Sequence, residues 1–212
     1  MLNITQFATT MRKRFSFALL LLMVAMVTMV GQTRYCLSYE DFKNDKWVTL
    51  EDAEQAGIIV SVKDIYLKHR EFHFSHRDKK INEIFEKEAR FIVCDDMMFI
   101  NLHKLRYPKG RRLFGKYYTV AYRYAKDKVC FVAPQGITLK GIMELDRQTK
   151  FVCYVMDSDE LNVKQIKAED MSALLAESPL GPGLYETYDK DSKESAEVVI
   201  RQLKKIDLLK PY

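Results

Sequence analysis

Glycine and proline are scarce in this chain, 8 and 5 of 212 residues. That scarcity excludes collagen-like repeats and Pro/Gly-rich linkers. Four cysteines are too few for a disulfide-dense miniprotein. There is no internal repeat and no low-complexity tract, and the GxSxG and HExxH motifs of hydrolases and zinc peptidases do not occur. Neither sign of charge dominates: 34 Lys+Arg stand against 29 Asp+Glu. What is present is a 48% hydrophobic, 30% charged chain, too apolar to be disordered. The arithmetic fits one ordinary domain with a targeting segment in front of it.

The bias lies at the N-terminus. Residues 1–31 hold Arg12, Lys13 and Arg14 and no acid, and an apolar run from Phe15 to Val30 follows, broken only by Ser16 and Thr28. Basic patch, apolar core and small or polar residues is the layout of a secretory signal peptide. It predicts cleavage after Gly31 and a mature domain over 32–212. Met11 directly precedes the basic patch, which makes it an alternative initiator with residues 1–10 an upstream extension. The competing reading is an uncleaved anchor, but the run is 16 residues, short of the ~20 that a spanning helix needs. A lipoprotein is disfavoured because Thr33-Arg34-Tyr35 precedes Cys36. Without the leader the chain is close to neutral, so no global basic field points to nucleic acid.

The remainder reads as α+β: an antiparallel sheet with one helix before the central hairpin and C-terminal helices packed on one face. Residues 37–50 suggest a short polar helix or turn leading to a strand at the single tryptophan, Trp47. Residues 58–67 are β-branched and aromatic enough for a strand, and the stretch continues through KHREFHFS. Alternation there puts Phe72 and Phe74 on one face and His69, Glu71 and His73 on the other. Residues 79–89 have helical spacing. FIVC and MMFIN flank a tight turn at Asp95-Asp96, since Asp tolerates the left-handed conformation. A second hairpin turns at Ala125-Lys126-Asp127, a strand follows at 150–157, and a short helix at 168–176. LGPG at 180–183 is a break. The last element, about 192–206, is a one-sided amphipathic helix, with Ser192 or Ser195 as its cap.

Five blocks carry a resemblance: SYEDFKNDKW (38–47), EKEARFIVCDDMMFINLHKLRY (86–107), FGKYYTVAYRY (114–124), KVCFVAP (128–134) and FVCYVMD (151–157). In order and spacing the chain resembles a family of exported proteins of unknown function from Bacteroidota. The resemblance implies an exported domain, periplasmic or surface-associated. Its motifs are structural, so it brings no catalytic residue with it. Some members have a Gly/Ala-rich, membrane-like insertion between the last two strands, where this chain has only PQGITLKGIMELDRQTK (134–150).

Several groups are candidates for chemistry. Gly110 to Lys116 approaches a phosphate-binding loop, but Tyr117 stands where Ser or Thr would bind Mg²⁺, and YYTVAYRY reads as a strand where a helix is required. His69, Glu71 and His73 share a strand face and suit a transition metal, although Lys68, Arg70 and Arg77 surround them. Cys94, Cys130 and Cys153 read as buried thiols in strands, and Cys36 as an exposed one. The stretch 104–128 is the most biased: nine basic residues and one acid, interleaved with six aromatics. That pattern suits anionic partners, and its competing reading is a solvated sheet edge.

Together these features predict an exported, non-enzymatic interaction domain of the cell envelope. Lys109, Arg111, Arg112, Lys116, Tyr117 and Arg123 would meet an anionic glycan, lipopolysaccharide or phospholipid, or another envelope protein. No cofactor and no nucleic acid is expected, and membrane contact only through the leader. The alternative is a periplasmic enzyme or metal-binding protein built around His69, Glu71 and His73.

Overall fold

A computed structural model describes residues 32–65, 69–105, 117–125, 127–135, 150–157, 163–179, 181 and 183–210. The N-terminal half runs β1 (Arg34–Cys36), α1 (Tyr39–Lys43), β2 (Val48–Thr49), α2 (Asp52–Gln55), β3 (Ile58–Ile65), β4 (His69–His76), α3 (Lys79–Glu83), β5 (Phe91–Cys94) and β6 (Met97–Asn101). The remainder is β7 (Tyr118–Tyr124), β8 (Lys128–Pro134), β9 (Phe151–Met156), β10 (Lys164–Gln165), α4 (Ala168–Ala176), α5 (Lys190–Lys193), α6 (Ala196–Lys205) and β11 (Leu209–Lys210). The sheet order is β10-β9-β8-β7-β6-β5-β1-β2, and every pair in it is antiparallel. The β3–β4 hairpin and β11 both attach through β7. The class is therefore α+β with an antiparallel sheet, as the sequence predicts.

Local chemistry accounts for the turns and ends. Asp95 and Asp96 both have positive φ, 50° and 58°, the geometry of a two-residue hairpin whose twist matches that of the strands. Ala125 also takes a positive φ at the next hairpin. Helix α4 coincides with the expected 168–176. The expected 192–206 helix is instead two pieces, and the longer one, α6, is capped by Ser195, whose hydroxyl accepts from the Val198 N–H. Asp78 caps α3 by accepting from the N–H groups of Lys80 and Ile81. The helix then widens into a π-turn over Ile84–Glu88. There the Tyr118 hydroxyl donates to the Phe85 carbonyl at 2.6 Å.

Two expectations need correction. Residues 58–76 are not one continuing strand: β3 and β4 run antiparallel, with Ile65 opposite His69. Alternation is the same on both arms of a hairpin, so it does not show the reversal. Cys36 is not exposed: only 1% of it reaches solvent, because β1 lies between β2 and β5.

Side chains alternate across the sheet. On one face Phe91, Val93, Ile100, Ala121, Phe131 and Tyr154 join Tyr39 and Phe42 of α1 in a core. The predicted polar helix at 37–50 thus buries two rings. The opposite face has two separate covers. The N-terminal cover sets Phe74, Ile81 and Phe85 on Ile92, Phe99 and Tyr118. The C-terminal cover sets Met171, Leu175, Val199 and Leu203 on Cys130 and Cys153.

Candidate functional site

Between the two covers lies a cleft of about 1200 Å³. Val120, Tyr122 and Val132 form its floor, Phe72 of β4 one wall, and Val198 and Ile200 of α6 the other. A concave pocket with an apolar floor and polar groups at its margin is where a ligand is expected. The rim is charged but balanced. Lys150 pairs with Asp191 at 2.7 Å, Arg201 with Glu197 at 2.6 Å, and Arg70 with Asp64 at 3.1 Å. These pairs are largely exposed and add little to stability.

The cleft opens where the sheet divides. Strands β7 and β8 are paired from Tyr124–Lys128 to Ala121–Phe131, and there the ladder ends. Both strands continue, β7 back to Tyr118 and β8 on to Pro134. Beyond the division β8 stays with β9, through Val132–Cys153, Ala133–Val152 and Pro134–Phe151. On the vacated side of β7, strand β4 makes one bridge, Phe72 to Tyr118. Backbone groups alternate in direction along a strand. The Gln135 N–H points to β9, where it meets the Lys150 carbonyl. Two steps of alternation from Pro134 then aim the Val132 N–H and C=O toward β7. The Tyr117 carbonyl faces β6, bonded to the Leu102 N–H, so the Val120 groups face β8. Proline sits at this edge without an N–H to satisfy, and its carbonyl accepts from the Tyr154 hydroxyl.

Of the candidate site residues that are described, Glu71, His73, Tyr117 and Arg123, none lines this cleft. Lys109, Arg111, Arg112 and Lys116 lie outside the described residues, as does the side chain of His69. Glu71 and His73 do share a face of β4, and Tyr117 joins them: its ring meets the His73 ring edge-on at 5.6 Å, with the Lys63 ammonium 5.9 Å from its centroid. Two candidate groups treated separately in the sequence thus meet at one place. Glu71 is buried, and burial pushes its carboxyl pKa up, partly offset by Lys63, which stands directly opposite on β3. A lysine there opposes a bound dication, and among the described residues no group of three or more His, Cys, Asp or Glu is placed to hold a metal. Arg123 has intramolecular partners: its guanidinium lies 4.8 Å above the Phe42 ring and 3.9 Å from the Asp45 carboxylate.

A family match described as "Family of unknown function (DUF6563)" spans residues 34–210. The chain belongs to that family. The matched stretch of this DUF6563 domain runs from β1 to β11 and so contains both covers and the cleft. Searches of the curated proteins and of the solved structures return no match.

The DUF6563 domain also contains four free thiols. Cys130 and Cys153 are fully buried on neighbouring strands under α6. Contact with the Cys130 thiol, and then burial, push the Cys153 pKa well up. Burial likewise raises that of Cys94. A suppressed thiolate makes a poor nucleophile, so these two thiols act as core side chains.

The only trace of the cleft in the sequence is Pro134, a proline ending an apolar strand. Its walls come from β4 and α6, more than a hundred residues apart, and no local pattern links them.

Proposed function

We propose that the chain is an exported, non-enzymatic binding domain of the cell envelope that holds a mainly apolar ligand in the cleft between its two covers. The cleft itself carries this reading: an apolar floor, a charge-balanced rim and a position between two independently packed covers. Export is supported by the basic-then-apolar layout of residues 12–30. Two measurements test the reading. The intact mass of the protein from its native host should begin at Gln32, and a retained leader would refute cleavage. An environment-sensitive apolar dye should bind the purified domain, and Val132→Trp, which fills the floor, should weaken binding at least tenfold. Equal binding by the variant would remove the cleft from the function.

A second reading takes an anionic envelope component at the 104–128 face, favoured by nine basic residues against one acid there. Charge reversal at Arg111 and Arg112 should then release the protein from envelope fractions. Unchanged fractionation would count against it.

A further inference from the structure

We infer that β3 is a pairing edge, and that its partner is β3 of a second copy of this chain, antiparallel to it about a twofold axis through Ser61. This goes beyond the cleft-binding reading and does not depend on it. Strand β3 spans Ile58–Ile65 and, among the described residues, pairs only with β4. The strands at the two ends of the sheet order, β2 and β10, are two residues long. Short edges offer little to an incoming strand, and proline, bulges or lysines blunt longer ones. Strand β3 contains no proline or glycine, its register with β4 is unbroken, and Lys63 is its one lysine. Ile59, Val60 and Val62 are 50%, 40% and 52% exposed.

The hydrogen bonds of the hairpin decide which groups of β3 face outward. The Arg77 N–H donates to the Gly57 carbonyl, one position before the Ile58–His76 pair. The His76 N–H donates to Asn82 Oδ1 and so not to Ile58. Directions alternate along an antiparallel ladder. Ile59, Ser61, Lys63 and Ile65 therefore bond to β4, while Ile58, Val60, Val62 and Asp64 turn N–H and C=O away from it. Among the described residues no other backbone group meets them.

The side chains select the register. A twofold axis between antiparallel strands makes the contact self-complementary. With the axis at Ser61, Val60 stands opposite Val62 of the second copy, twice, and these pairs exchange bonds through their outward groups. Cross-strand pairs of β-branched residues are favourable. On the other face Lys63 meets Ile59, which its methylene stem can cover while the ammonium stays in water. No like charges face each other. An axis through Lys63 would oppose two lysines, one through Val62 would set Val60 against Asp64, and one through Val60 would shorten the shared ladder. The charges of β3 are also balanced within the hairpin, Asp64 by Arg70 at 3.1 Å and Lys63 by Glu71 opposite it, so a second copy meets no net repulsion.

Sedimentation velocity of the purified protein should show a monomer–dimer equilibrium. Val60→Lys/Val62→Lys sets lysines opposite each other and should weaken it about tenfold or more. Val60→Lys/Val62→Glu sets each lysine opposite a glutamate of the other copy and should recover most of that loss. Circular dichroism checks that both variants fold. In the wild type, amide exchange at Val60 and Val62 should slow with rising concentration, more than at Ile59 and Ser61, and this needs no variant. A monomer at millimolar concentration would overturn the inference. Dimerisation equal in all three proteins would place the interface elsewhere, and equal loss in both variants would refute the Ser61 register. Protection of Val60 and Val62 in a monomer, gained only on adding host envelope extract, would give the edge to another protein and overturn the second copy.

Discussion

The two covers on the same sheet face are built from different materials. The N-terminal cover is a network of rings. Phe74 meets Phe99 at 5.0 Å, Tyr118 at 5.3 Å and Phe85 at 6.3 Å, and Tyr35 meets Phe85 edge-on at 6.1 Å. The core of the C-terminal cover is mainly aliphatic and sulfur-bearing, with Met171, Leu175, Val199 and Leu203 over two thiols and Tyr185 its one fully buried ring. Ring pairs are favourable in particular orientations, whereas Met and aliphatic side chains repack readily. One wall of the cleft is therefore set by oriented rings and the other by an adaptable surface.

The comparison is most severely tested at Phe85. Phe85→Ala removes a fully buried ring and should cost about 3–5 kcal/mol in denaturant unfolding. A loss below 1 kcal/mol would show that the ring network does not hold its wall. Tyr118→Phe keeps the ring and removes the hydroxyl that donates to the Phe85 and Ala89 carbonyls. It should cost about 1–2 kcal/mol and raise amide exchange through the π-turn, while leaving α6 unchanged. On the other wall, Ser195→Ala removes the cap of α6. About 1 kcal/mol is expected, with fraying confined to that helix and measured by hydrogen exchange.

The smallest effect is pH-dependent. The pKa of Glu71 is raised from an ordinary 4.5 by burial, with Lys63 opposing, so the fold favours the neutral acid. The stability this gives is complete below the ordinary glutamate value and is lost as pH climbs through the raised one. Glu71→Gln should therefore raise the unfolding midpoint slightly at pH 7 and leave it unchanged at pH 3.5. A lower midpoint at pH 7 would mean that the Lys63 attraction outweighs burial.

Elements whose cause is local were legible in the sequence. The Asp95-Asp96 hairpin follows from two residues that tolerate positive φ, and the sequence narrows the cap of α6 to Ser192 or Ser195, of which the structure uses Ser195. The shared face of Glu71 and His73 follows from period-two alternation alone. What was illegible depends on partners distant in the chain. Nothing in VSVKDIYLKHREF marks a reversal with glycine or proline, so β3 and β4 ran together. The buried position of Cys36 depends on β5, over fifty residues on. The cleft depends on where β7 leaves β8, and that is fixed by β4 taking its place at Tyr118.

Strand β7 pairs with β4, β6, β8 and β11, and the last of these is Leu209–Lys210, opposite Tyr124 and Arg123. The central strand acquires its final partner from the end of the matched stretch. A polypeptide appearing from its N-terminus cannot finish this sheet until nearly all of it has emerged. Completion is thus a late event in the order of synthesis, and truncation before Leu208 removes a neighbour from the middle of the sheet rather than from its margin.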